Sequence, residues 1–205
     1  MSIWAIPALV AITLHEVAHG WVARFFGDRT AQMLGRLSLN PLRHIDPVGT
    51  LVVPGLLLVI GGPLIGWAKP VPVATSVLPH PRRAMVFVAL AGPAANLLMA
   101  LLWCAVLGAI ARTHGNATLV GWIALMAQAG IVVNVVLAVF NLLPIPPLDG
   151  GRVLAGLLPA RWGTRLERIE PVGLFLVLGF SVMRWLDWLF EPAFRLIGRV
   201  VTVLV

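Results

Sequence analysis

His15, Glu16 and His19 lie inside an apolar run, Ile3 to Phe26, long enough to cross a bilayer as a helix, and this combination restricts the chain more than any other feature. Charge at membrane depth is costly, so ionisable residues there are candidates for function. Arg24 is the only other ionisable side chain in the run. On a helix, the i,i+4 spacing puts both imidazoles on one face, where they can chelate a single Zn2+. The same geometry holds Glu16 beside the metal as a general base for water.

Composition supports a membrane setting. Apolar residues are 60% of the 205 and charged residues 11%, against about 25% charged in an average soluble domain, and the mean hydropathy is +0.96. The polar stretches between apolar runs are short. Residues 1–205 therefore read as a single intramembrane domain with no appended soluble module, in an all-α polytopic membrane protein. Met1-Ser2-Ile3-Trp4 has no basic region ahead of the first run, so that span is read as retained and not as a cleaved signal. Cys104 is the single cysteine, which rules out an intramolecular disulfide. The formal charge is +7, and all basic residues except Lys69 are arginines scattered beside apolar runs. That is a topology signal, and no nucleic-acid partner is expected.

Four runs could each span: residues 3–26, 84–111, 119–143 and 172–190. A fifth, residues 48–67, is interrupted by Pro54 and Gly61-Gly62-Pro63, which would break a helix or fold it back. The expectation is thus four to five transmembrane helices plus a re-entrant or broken segment. If 48–67 enters and returns on one face, Arg24, Arg29, Arg36, Arg43, Lys69, Arg82, Arg83, Arg152, Arg161, Arg165 and Arg168 share a side and Arg112 lies opposite. If it spans, the basic residues divide almost evenly. The positive-inside rule favours the return, with the first group cytoplasmic. The tail, 192–205, is too short to span and reads as an interfacial amphipathic segment.

Two histidines do not complete a zinc site; a third protein ligand is needed. Asn141-Leu142-Leu143-Pro144-Ile145-Pro146-Pro147-Leu148-Asp149-Gly150-Gly151-Arg152 is the best source, because its prolines forbid regular helix and Asp149 is the only carboxylate between Asp46 and Glu167. Taken locally, Asp149 could equally sit in an ordinary Asp-Gly turn.

With these residues assembled, the chain resembles the site-2 protease family of intramembrane zinc metalloproteases, peptidase family M50, and in particular its short bacterial-type members without a PDZ or CBS domain. The resemblance rests on HEVAHG (His15 to Gly20), GRLSLNPLRHIDPVGT (Gly35 to Thr50), GWAKPVPV (Gly66 to Val73), ALAGPAANL (Ala89 to Leu97) and NLLPIPPLDGGR (Asn141 to Arg152). It implies that His15, His19 and Asp149 bind one Zn2+, that Glu16 activates water, and that Asn141 helps hold the scissile carbonyl or the oxyanion. Asn141 could instead cap a helix or bond between helices.

His44 could approach the metal or substrate, or belong to a polar surface turn. Asn96 reads as an interhelical hydrogen-bonding residue. Arg36 to Asn40, with Arg36 and Ser38 alternating against leucines, and Ala68 to Thr75 could form short extended elements near the cytoplasmic face that hold an unwound substrate by strand addition, or be irregular loops. The expected function is an intramembrane zinc endopeptidase acting on transmembrane protein substrates in the lipid bilayer of a bacterial cell membrane, with its site toward the cytoplasm. A catalytically silent adaptor is disfavoured by the intact Glu16. A metal transporter is disfavoured by the few polar residues in 84–111.

Overall fold

The computed structural model describes residues 2–59, 66–113, 117–170, 172, 173, 179 and 187–204. Helix α1, Ser2–Phe25, carries the two histidines and ends where Gly27 takes φ +102°, a left-handed position that costs glycine nothing. One helical turn, α2 (Thr30–Met33), follows. A 3-10 turn at Pro41–Arg43 leads to a π-helical turn, Pro47–Val52, that runs into α3, Val53–Val59. Asp46 caps this unit, its Oδ1 accepting from Val48 N–H at 3.0 Å and Gly49 N–H at 2.7 Å, with Pro47 at the first helical position. The long helices α4 (Pro81–Ile110) and α5 (Ala117–Asn141) come next, then α6 (Asp149–Leu157), α7 (Ala160–Glu167) and α8 (Asp187–Leu204).

Helices α1, α4 and α5 pack on one another, α6 lies on α4, and α8 lies against α4 and α5. These three long helices are apolar enough to cross a membrane. Leu97, Leu98, Leu101 and Leu102 on α4 are exposed, an arrangement that suits contact with lipid and not water. The α4–α5 seam continues into α8, where Ile197 joins Leu107, Ala127 and Ile131 in a buried cluster. The tail read as an interfacial segment is thus a helix with part of its apolar face on the bundle, while Glu191 and Arg195 pair at 3.8 Å on its exposed face.

Three long apolar helices are described where four to five spans were expected. Most of the 172–190 run and the Gly61-Gly62-Pro63 break lie outside the described residues. The two ends of the 48–67 segment meet: Trp67 N–H donates to Gly49 O at 3.1 Å, and the Thr50 hydroxyl donates to Trp67 O at 2.9 Å. The expected extended elements do not form strands, and no strand occurs among the described residues. Pro70 and Pro72 lack the N–H groups a ladder needs, and residues 36–46 reach 67–70 through side chains and single backbone bonds instead.

Candidate metal centre and active site

His15 and His19 lie one turn apart on the buried face of α1, and each ring is oriented from outside that helix. His15 Nδ1 donates to Asn96 Oδ1 at 2.6 Å, and His19 Nδ1 donates to Val88 O at 2.7 Å. A carbonyl oxygen only accepts, so both Nδ1 atoms carry the proton, and in the neutral imidazole, the form that binds a metal, each Nε2 then presents its lone pair. Asn96 is itself fixed: its Nδ2 donates to Asn134 Oδ1 at 3.0 Å, and Asn134 Nδ2 donates to Gly130 O at 2.8 Å. Asn96 and Asn134 are fully buried, so each of these bonds satisfies a group that would otherwise be costly.

Gly92 sets the closeness of α4 to α1. A Cβ there would stand 2.5 Å from both His15 Cε1 and His19 Nε2. Gly92 and Asn96 are i,i+4, so one face of α4 supplies both the space for the imidazoles and the acceptor that aims one of them.

Asp149 arrives from the other side as the first residue of α6, after the proline-rich turn of residues 142–148. That turn folds back over the α6 N-terminus so closely that a Cβ at Gly150 would strike Leu142 O, and one at Gly151 would strike Pro146 N. Asp149 Oδ2 stands 3.2 Å from His15 Nε2 and 3.3 Å from His19 Nε2, and the two Nε2 atoms are 3.1 Å apart. It is buried without a hydrogen-bond donor. Three lone pairs facing one another in buried space repel unless a cation lies among them. Two imidazoles and a carboxylate are a donor set zinc takes, and a tetrahedral ion with bonds of about 2.0–2.1 Å has ligand edges of about 3.3–3.4 Å. The three residues fit such an ion, and among the described residues they are the one cluster of this kind.

Glu16, half-buried, accepts from Val71 N–H through Oε2 at 2.9 Å. Asn141, the last residue of α5, turns its amide N–H back to Leu137 O at 2.9 Å. His44 is buried and bonds Ser38 O at 2.8 Å through Nε2, while Nδ1 has no partner. Ser38 Oγ accepts from Asn40 N–H at 3.2 Å. Arg36 donates to Arg43 O, to Lys69 O at 2.7 Å and to Pro70 O at 3.3 Å. His44, Ser38 and Arg36 therefore tie loops together, and none of the three belongs to the histidine–aspartate cluster.

Asp28 was not singled out from sequence. It is buried, accepts from Thr30 N–H at 2.8 Å and Ala74 N–H at 2.7 Å, and so joins the end of α1 to residues 69–74. Burial alone would raise its carboxyl pKa; the bonds from Thr30 and Ala74 outweigh that and hold it below the usual carboxylate range. A lone aspartate after a Phe-Gly pair gives no sequence signal of a partner at Ala74.

The profile of peptidase family M50 matches residues 105–183. A Bacillus subtilis (strain 168) protein provisionally named zinc metalloprotease YwhC is 40% identical over 183 residues, covering 87% of this chain and 80% of the relative. Two mycobacterial proteins provisionally named zinc metalloprotease Rip2 are also similar. The Mycolicibacterium smegmatis protein is 34% identical, covering 89% of this chain and 68% of its own length. The Mycobacterium tuberculosis H37Rv protein is 36% identical, covering 92% and 70%. No solved structure matches. Identity at this level over most of both chains reflects common descent: the chain belongs to peptidase family M50.

Proposed function

We propose that this multi-pass membrane protein is a zinc endopeptidase that hydrolyses peptide bonds within or near transmembrane segments of other membrane proteins, close to the cytoplasmic face of a bacterial cell membrane. The observation that carries the reading is the convergence, within 3.1–3.3 Å of one another, of His15 Nε2 and His19 Nε2 from an apolar helix that also carries Glu16, and Asp149 Oδ2 from α6.

Bound there, zinc would supply Lewis-acid polarisation of the scissile carbonyl and acidify a water to about pKa 7. His15, His19 and Asp149 hold the ion, and the Asn96 and Val88 bonds keep both imidazoles aimed at it. Glu16 takes the proton of the attacking water and passes it to the leaving amine, with Oε2 on Val71 N–H and Oε1 available for the proton. Asn141 stands in for an amide donor to the carbonyl oxygen once its side chain leaves Leu137 O.

Residues 48–67 are read as re-entrant on the cytoplasmic side, which the Trp67–Gly49 and Thr50–Trp67 bonds support because a straight span would separate its ends by roughly 30 Å. Irregular backbone at that depth is tolerated where it lines a polar cavity, here the water route to the zinc. By length and apolarity of sequence the run 172–190 is read as a fourth span, and residues 1–205 are read as one domain. Segments 36–40 and 68–75 flank the substrate path, and a helical substrate has to be unwound there before its carbonyl is accessible. Zinc content of the purified protein, together with cleavage of a panel of membrane-segment substrates by the intact chain and by Glu16→Ala, tests the reading. Absence of zinc, or equal cleavage by the variant, overturns it.

A further inference from the structure

Residues 69–74 pass over Glu16 and are held along their length. Lys69 N–H donates to His44 O at 2.9 Å, the Arg36 guanidinium donates to Lys69 O and Pro70 O, and Ala74 N–H donates to Asp28 Oδ2. Between Lys69 and Val73 there is a single backbone donor, because Pro70 and Pro72 have no N–H, and that donor, on Val71, bonds Glu16 Oε2 at 2.9 Å. Both prolines also restrict the residue before them, so Lys69 and Val71 have little backbone freedom.

The packing below matches. The Val71 side chain is buried, and it rests with Leu37 on Gly20, where a Cβ would stand 3.0 Å from Val71 Cγ1 and would strike Leu37 Cδ2. Gly20 is four residues after Glu16, on the same face of α1, so the glycine admits the strap at the point where its N–H meets the carboxylate. Leu37 follows Arg36 directly. One short segment thus packs the strap down and, through a charged donor shared between consecutive carbonyls, fixes its register.

We infer that Arg36 is a positioning residue for Glu16, acting through the backbone of residues 69–71, so that the Val71 N–H holds one carboxylate oxygen and leaves the other aimed at the attacking water. A glutamate has several freely rotating bonds, and a general base must lie within about 2.6–3.2 Å of the proton it removes. The bond to Val71 removes that freedom in advance. Arg36 touches neither substrate nor metal in this role. The inference rests on Glu16 being the base, as proposed above.

The test uses the full-length, zinc-loaded protein and a membrane-segment peptide substrate, with zinc content, kcat and KM measured for wild type, Glu16→Gln, Arg36→Gln, Arg36→Lys and the double variant Glu16→Gln/Arg36→Gln. Arg36→Gln is expected to lower kcat about 10- to 100-fold, the order that a misplaced group costs, with KM and zinc content unchanged. Arg36→Lys, which keeps a cationic donor, is expected to recover part of the loss. In the Glu16→Gln background the Arg36 change is expected to have no further effect, because its route to the chemistry is already cut. A raised KM with kcat intact would make Arg36 a substrate contact and overturn the inference, as would the same fold loss in both backgrounds. If Arg36→Gln loses zinc or does not fold, Val71→Pro removes the N–H together with the buried valine side chain, and Val71→Ala removes the side chain while keeping the N–H; a kcat unchanged in Val71→Pro, or lowered equally in both variants, also overturns it. Failure of the parent reading is seen separately, as full activity in Glu16→Gln.

Discussion

His15 reaches Asn96 across 2.6 Å of buried space, and this bond from α1 to α4 decides which ring nitrogen of His15 faces the metal site. Asn96→Ala removes the acceptor and frees both the tautomer and the ring. Zinc affinity is expected to fall about 10- to 100-fold, the usual effect of losing a ligand's outer partner, measured by competition with a chelator. Unchanged affinity would show that the bond does not orient the ligand.

Gly92→Ala drives a methyl group into both imidazoles, and a cost of about 1–3 kcal/mol with weakened zinc binding is expected. Gly121, on α5, has open space where a Cβ would stand, with nothing within 4 Å, so Gly121→Ala should be neutral or stabilising by up to about 1 kcal/mol. Thermal unfolding in detergent distinguishes steric demand at Gly92 from a general intolerance of helical glycine substitution.

Glu16→Gln keeps the three metal ligands and removes the base, so zinc and substrate binding should persist while most turnover is lost. Asn141→Ala should lower kcat by about 100- to 1000-fold if its amide serves the oxyanion. A folded Asn141→Ala protein with full kcat would limit the side chain to its bond with Leu137 O.

Asp28 sets an acid-side stability limit. Its folded pKa lies below the value of about 3.9 for an unfolded aspartate, so the native state binds that proton more weakly. The stabilisation is therefore complete above about pH 4 and is lost as pH falls through the folded pKa. Asp28→Asn should lower Tm at neutral pH and flatten the fall in Tm on acidification. An equal acid-side slope in both proteins would assign it to other carboxylates.

Cysteines placed at Ser38 and Ser76 in a Cys104→Ala background report the course of 48–67. Both are expected to react with an impermeant thiol reagent only from the cytoplasmic side. Labelling from opposite sides would mean that the segment crosses, and the charge-distribution argument would fail.

Periodic features were legible in the chain itself. Long apolar helices were expected over 3–26, 84–111 and 119–143, and helices occur at Ser2–Phe25, Pro81–Ile110 and Ala117–Asn141. The i,i+4 histidine pair could be assigned to one face, because helical spacing is a local property, and Asp149 stood out as the sole carboxylate in a proline-rich turn. The orientation of those groups was not legible. It depends on bonds between residues 81 apart for His15 and Asn96, 69 apart for His19 and Val88, and 55 apart for Glu16 and Val71. The same holds for the irregular residues 36–46 and 67–74, where alternation suggested strands but proline removed the donors and arginine, histidine and aspartate side chains made the connections. Local sequence determined which helices form and which faces carry the ligands; only packing decided which atoms meet, because a hydrogen bond between distant segments exists only once the helices that carry them are side by side.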